Sequence, residues 1–198
     1  KSATYGDTAP AYTVRYAGFV NNETESVVTG LITFDCAYAA GSDAGEYAIT
    51  PKGATADNYA ITFVEGKLTV GKLTAALAWN DYAERTYDGK ASNVTASVTN
   101  KIGNDDVTVT VTGGTAVNAG TYIATATGLA GDKAKNYQLP ETGLSQEYTI
   151  NRAALTIASV AVEGKTYDGT TDAKVTSVTF NGLQNGEELV SGTDYTVA

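Results

Sequence analysis

Three features of the sequence predict an all-β fold. There are 31 Thr, 18 Val, 13 Tyr and 7 Ile among the 198 residues, β-branched and aromatic types that suit a pleated, half-buried surface. Val107, Val109 and Val111 alternate strictly with Thr108, Thr110 and Thr112, the period of a strand with one face in the core and the other in water. No segment combines a helical period with helix caps.

The order of the elements follows from an internal repeat. Thr4-Tyr5-Gly6-Asp7, Thr86-Tyr87-Asp88-Gly89 and Thr166-Tyr167-Asp168-Gly169 place a Thr-Tyr pair and a Gly/Asp turn at intervals of 82 and then 80 residues. Copy one, residues 1–72, continues through Gly18-Phe19-Val20-Asn21-Asn22-Glu23, Ala44-Gly45-Glu46-Tyr47 and Asn58-Tyr59 to a closing strand at Leu68-Thr69-Val70. Copy two, residues 73–152, opens with a strand from Leu73 to Tyr82 and then runs into the Val107–Thr112 strand. Turns at Gly113-Gly114 and Asn118-Ala119-Gly120 set off a strand from Tyr122 to Thr127. Ala119-Gly120-Thr121-Tyr122, Asn136-Tyr137 and Tyr148-Thr149-Ile150 answer the corresponding blocks of copy one. Copy three, residues 153–198, opens with a strand from Leu155 to Glu163, and Gly182-Leu183-Gln184-Asn185-Gly186-Glu187 matches the segment from Gly18 to Glu23.

Copy one begins three residues before Thr4, so its first strand is expected to be missing, and copy three is expected to hold only the N-terminal half of a repeat. About seven short strands per 80-residue copy, separated by turn signals, describe tandem immunoglobulin-like antiparallel β-sandwich domains. The linkers, at Lys72-Leu73 and Arg152-Ala153, leave little room for a hinge. A stiff array of three copies at roughly 30 to 40 Å each would span about 100 Å. Half a sandwich leaves one inner face and its strand edges uncovered, so residues 153–198 are expected to be poorly packed or covered by a neighbouring chain.

Composition removes several function classes. Thirteen Lys plus Arg against 22 Asp plus Glu give a net charge of −9, which argues against binding nucleic acid, because phosphates are contacted mainly by clustered cations. There is no histidine, no methionine and a single cysteine, Cys36, so the usual side chains for general-base chemistry, zinc binding and disulfide frameworks are lacking. Apolar residues at 42% and charged residues at 18% suit a packed core. The longest apolar stretch, Ala153 to Val162, is interrupted by Thr156 and Ser159 and falls short of the ~20 residues of a membrane span. Lys1 is not an initiator Met, and no signal peptide follows it, so the chain reads as a piece of a longer protein.

The remaining chemical candidates have structural readings. The Thr-Tyr turns, together with Tyr47, Tyr59, Tyr122 and Tyr137, are expected to be aromatic anchors akin to the tyrosine corner of immunoglobulin sandwiches. A sugar-stacking platform would need several of these rings on one exposed face. Asp105-Asp106, Glu187-Glu188 and the Asp168 to Asp172 loop could supply a carboxylate pair for hydrolysis or a calcium site, but they lack EF-hand spacing and read as solvated turns. A structural calcium ion between neighbouring copies is the one cofactor left open. Cys36, in the run from Leu31 to Tyr38, reads as a small core residue. Leu139-Pro140-Glu141-Thr142-Gly143 spells a sortase signal without the apolar stretch and basic tail that should follow, and is expected to be sheltered inside copy two. Asn22-Glu23-Thr24 and Asn93-Val94-Thr95 fit N-glycosylation. Lys-Asn isopeptide crosslinks cannot be paired from sequence.

The series Thr4-Tyr5-Gly6-Asp7, Pro10, Gly18-Phe19, Ala44-Gly45-Glu46-Tyr47, Ile49-Thr50, Asn58-Tyr59 and Gly66-Lys67-Leu68-Thr69-Val70 resembles the MBG domain, the "mostly bacterial immunoglobulin-like" repeat. Lys165-Thr166-Tyr167-Asp168-Gly169-Thr170-Thr171 resembles the related YDG repeat. Copy two is intermediate, with Ile102-Gly103-Asn104-Asp105-Asp106 in place of the Gly-Phe-Val segment. The resemblance implies a tandem array in a large adhesin-like protein, extracellular on a bacterial surface or secreted. It carries over no catalytic, cofactor-binding or metal-ligating residue. The function expected is a non-catalytic spacer or stalk whose partners are neighbouring repeats. The alternatives are an adhesive module that binds a glycan or host protein through residues the sequence does not identify, and, remotely, a carboxylate-based hydrolase.

Overall fold

The computed structural model describes residues 1–197; Ala198, the last residue of copy three, lies outside the described residues. The chain is all-β. Its strands are β1 (Ser2–Thr4), β2 (Thr33–Asp35), β3 (Gly45–Lys52), β4 (Gly66–Gly71), β5 (Leu73–Thr74), β6 (Leu77–Asn80), β7 (Arg85–Thr86), β8 (Thr95–Val98), β9 (Thr108–Thr112), β10 (Gly120–Ala130), β11 (Tyr137–Gln138), β12 (Ser145–Asn151), β13 (Thr156–Val162) and β14 (Val175–Asn181). Two 3-10 turns, Glu25–Val27 and Ala134–Asn136, are the only helical pieces among the described residues.

Two compact units account for the packing. The first comprises Lys1–Ala78, Ser97–Thr110 and Gly128–Leu144. Its main sheet has the order β1-β4-β3-β2, and β4 shows why these residues form a central strand. Leu68 and Val70 point into the core while Lys67 and Thr69 face solvent, the alternation of a strand covered on one side. Leu68, Val70, Ile49 and Tyr38 form the core of copy one, and Phe34, Tyr47 and Cys36 pack against it. Cys36 is a partly buried free thiol. A second cluster in this unit joins Tyr5 to Ala75, Val98, Val107 and Tyr137. The rings of Tyr5 and Tyr137 meet edge to face at 5.5 Å.

The second unit comprises Trp79–Ala96, Val111–Thr127 and Ser145–Ala198. There β10 and β12 pair antiparallel from Gly120 opposite Ile150 to Thr125 opposite Ser145. The core consists of Val94, Ala124, Tyr148 and Ile150, with Trp79, Tyr87 and Tyr122 packed against it. In copy three β13 and β14 form a two-stranded antiparallel ribbon, and no residue from 153 to 197 is buried. Ile157, Val160 and Val162 remain 64%, 51% and 57% exposed. This ribbon is a single layer, with no second layer to bury its inner face.

Among the described residues, three strand pairings run parallel: β1 with β4, β7 with β12, and β5 with β11. The first two repeat one another. In each copy the short strand that carries the Thr-Tyr motif lies beside the closing strand, with Thr4 opposite Gly71 in copy one and Thr86 opposite Asn151 in copy two.

Candidate functional site

The acids of the Gly/Asn-rich segments sit in one construction that occurs three times. Each closes a four-residue turn: Glu23 N–H donates to the Val20 carbonyl at 3.0 Å, Asp105 N–H to that of Ile102 at 3.1 Å, and Glu187 N–H to that of Gln184 at 2.9 Å. The middle of each turn needs a left-handed backbone, supplied by Asn21 and Asn22, by Gly103, and by Asn185 and Gly186. In copies one and two a tyrosine clamps the turn. Tyr59 accepts from Val20 N–H at 3.2 Å and donates to the Glu23 carboxylate; Tyr137 accepts from Ile102 N–H at 2.8 Å and donates to Asp105 at 2.8 Å. Tyr59 and Tyr137, paired by sequence alone, therefore do the same work.

Onto two of these acids come the Thr-Tyr motifs. Tyr5, 2% exposed, donates its hydroxyl to Asp105 at 2.8 Å, and the half-buried Tyr87 donates to Glu187. Burial and the Asp105 carboxylate both push the Tyr5 hydroxyl up, and burial above all pushes Tyr137 up to about 12. A tyrosine raised in the folded state contributes stability that is complete below its unfolded value near 10 and is lost as pH rises toward 12. Cooperative unfolding between about pH 10 and 12 is therefore expected, with tyrosinate absorbance rising together with the loss of β-sheet circular dichroism. A smooth, non-cooperative titration of all thirteen tyrosines near their ordinary value would contradict this.

Asp105, expected to be a solvated carboxylate, is instead partly buried and accepts from a tyrosine 100 residues earlier, whereas Glu187 accepts from Tyr87 across the same interval while remaining exposed. A usable signal was present, since Glu23, Asp105 and Glu187 recur at the same spacing of 82 residues that separates Tyr5 from Tyr87. The tyrosine-corner reading of Tyr47 and Tyr122 agrees with their geometry. Each donates to the carbonyl four residues upstream, Asp43 at 2.6 Å and Asn118 at 2.9 Å. Tyr122 stacks on Tyr148 and Tyr38 meets Tyr47 edge to face, so these rings pair with one another instead of sharing an exposed face.

A second polar centre surrounds Asp43. Its carboxylate takes Lys135 at 2.6 Å, Lys133 at 3.2 Å and the fully buried Asn136 amide at 2.8 Å, and the Asn136 carbonyl oxygen accepts from Ala44 N–H at 2.9 Å. These partners, Lys135 first, hold the Asp43 carboxyl well below the usual range. A depressed carboxyl contributes stability that is present above the unfolded value of about 4 and is lost as pH falls below it. Asp43→Asn should therefore lower stability at neutral pH and flatten its acid dependence, as read by urea unfolding at a series of pH values.

Among the described residues no three His, Cys, Asp or Glu side chains group to hold a metal ion. A groove of about 380 Å³ in copy one is lined by Tyr12, Val14, Tyr16, Ile61 and Phe63, with Arg15 and Glu65 also on its walls. Leu139 to Gly143 is not sheltered as expected: Glu141, Thr142 and Gly143 are exposed, because the chain leaves β11 at Gln138 and crosses the surface before β12 begins at Ser145. No helix of the described residues is long and apolar enough to cross a membrane.

Residues 1–69 match the family model of the MBG domain (YGX type), which bears out the resemblance over that stretch. No curated protein and no solved structure matches the chain. MBG domains occur in bacterial surface proteins and form a non-enzymatic family of surface modules.

Proposed function

We propose that these repeats are a non-catalytic, load-bearing spacer in a large adhesin-like protein of a bacterial surface, with copy boundaries at 1–72, 73–152 and 153–198. The observation that carries this reading is the parallel pairing of the Thr-Tyr strand with the closing strand in copies one and two. Pulling on Lys1 and Gly71 moves β1 and β4 in opposite directions along their length, so their ladder hydrogen bonds are strained together in shear instead of parting one by one. Arg85 opposite Ile150 and Thr86 opposite Asn151 repeat the arrangement in copy two. Lys72 alone separates β4 from β5, which suits transmission of tension without slack.

The test is force spectroscopy on the full chain held at its two ends. The expected trace has resolved rupture peaks whose length gains approach about 290 Å for an 80-residue copy. A chain that extends at baseline force overturns the reading. The groove beside Tyr12, Tyr16 and Phe63 favours adhesion as the second reading. A glycan array probed with the full chain separates the two: binding lost on Tyr16→Ala would make this stretch an adhesive module.

A further inference from the structure

The connection between β11 and β12 is fixed at both ends and open in the middle. At one end Gln138 pairs with Thr74, and its side-chain amide donates to Thr74 Oγ1 at 3.0 Å. At the other, Ser145 lies opposite Thr125 at the end of the β10–β12 ladder. The residues between, Leu139 to Leu144, belong to no strand, and Glu141, Thr142 and Gly143 are exposed. Gly143 turns the chain with a φ of 75°, and a Cβ built there would have nothing within 4 Å. The Thr142–Gly143 peptide bond therefore stands where an enzyme's cleft can close around it, as exposed loop tips are where chains are most readily cut.

What fills this connection is not what the repeat demands. The corresponding stretch of copy one, Ala60 to Glu65 between Tyr59 and β4, contains neither Pro nor Gly. Copy two instead carries Leu139-Pro140-Glu141-Thr142-Gly143, the order that sortase-class cysteine transpeptidases cut between Thr and Gly. Pro140 has no backbone N–H to give a sheet and a φ fixed near −65°, which keeps the start of the motif close to the extended form that a peptide-binding cleft accepts.

We propose that Leu139 to Gly143 is a substrate loop for a sortase-class cysteine transpeptidase, which joins Thr142 to an amine supplied by another molecule. The enzyme's thiolate adds to the Thr142 carbonyl, the Thr142–Gly143 bond breaks, and Gly143 takes a proton and leaves as a free amine. The incoming amine then attacks the thioester, forms a new amide with Thr142, gives up one proton and releases the thiolate. Residues 143–198 lose their covalent link but not their place, because Tyr148 and Ile150 of β12 are 3% and 1% exposed in the core of the second unit. The loop is thus a covalent attachment point inside a folded copy. This goes beyond the spacer reading and does not rest on it, because the reaction is read without load.

The experiment incubates the folded full chain with a purified sortase specific for Leu-Pro-x-Thr-Gly, with triglycine as the amine, and follows intact masses. The expected products are residues 1–142 extended by triglycine and residues 143–198, with the β-sheet circular dichroism unchanged throughout. Thr142→Ala should slow the reaction at least about tenfold, because the enzyme's subsite loses the hydroxyl it recognises. Thr142 is exposed, so this variant folds. A chain that stays intact while a free Leu-Pro-Glu-Thr-Gly peptide is consumed overturns the proposal. So does cleavage at another bond, cleavage insensitive to Thr142→Ala, or cleavage that begins only once urea has unfolded the chain.

Discussion

Tyr137→Ala is expected to lower the unfolding free energy by about 3 to 5 kcal/mol, the usual range for deleting a large buried aromatic. Tyr137 is 2% exposed and lies in the cluster of Tyr5, Ala75, Val98 and Val107, so the deletion opens a cavity at the centre of the first unit. Its hydroxyl adds a separable share. Tyr137→Phe keeps the ring but leaves Ile102 N–H without its acceptor and removes one donor from Asp105, at an expected cost of about 1 to 3 kcal/mol. Urea unfolding of the three proteins side by side measures both shares. If Phe and Ala cost the same, the ring contributes nothing and the packing account fails.

Asp105→Ala should cost about 2 to 4 kcal/mol, because it strips the acceptor from two tyrosine hydroxyls at once and each loses a hydrogen bond to a charged group. The decisive number is the coupling with Tyr5. In the wild type Tyr5→Phe should be destabilising, while in the Asp105→Ala background it should be close to neutral, since the bond it would break is already gone. Purely additive effects would mean that Tyr5 and Asp105 do not communicate and that their contact is incidental.

Much of the fold was legible because a period was present to read. The alternation at Val107 to Thr112 became the edge of β9, with Val107 fully buried and Thr108, Thr110 and Thr112 exposed. The Ala-Gly-x-Tyr blocks became two tyrosines bonded four residues back along the chain. The Tyr5–Asp105 and Tyr87–Glu187 contacts left no local pattern, because a hydrogen bond spanning 100 residues has none and Asp105 in a Gly/Asn turn has the same neighbours as any solvated loop acid; their one signal was the long interval of 82 residues shared by the acids and the tyrosines. Nor could composition foresee that Asp43 would gather Lys133, Lys135 and Asn136 from 90 residues or more away. The exposed loop from Glu141 to Gly143 was misjudged because membership of a domain does not set depth within it.

The acids at 23, 105 and 187 and the tyrosines at 5 and 87 keep one common interval. Partnership between them is consequently a matter of distance along the gene and not of individual identity. Recombination that duplicates or excises one whole 82-residue period keeps Tyr5 and Tyr87 at the same distance from an acid. An organism can then lengthen or shorten the array by unequal crossover, without a compensating change at any seam.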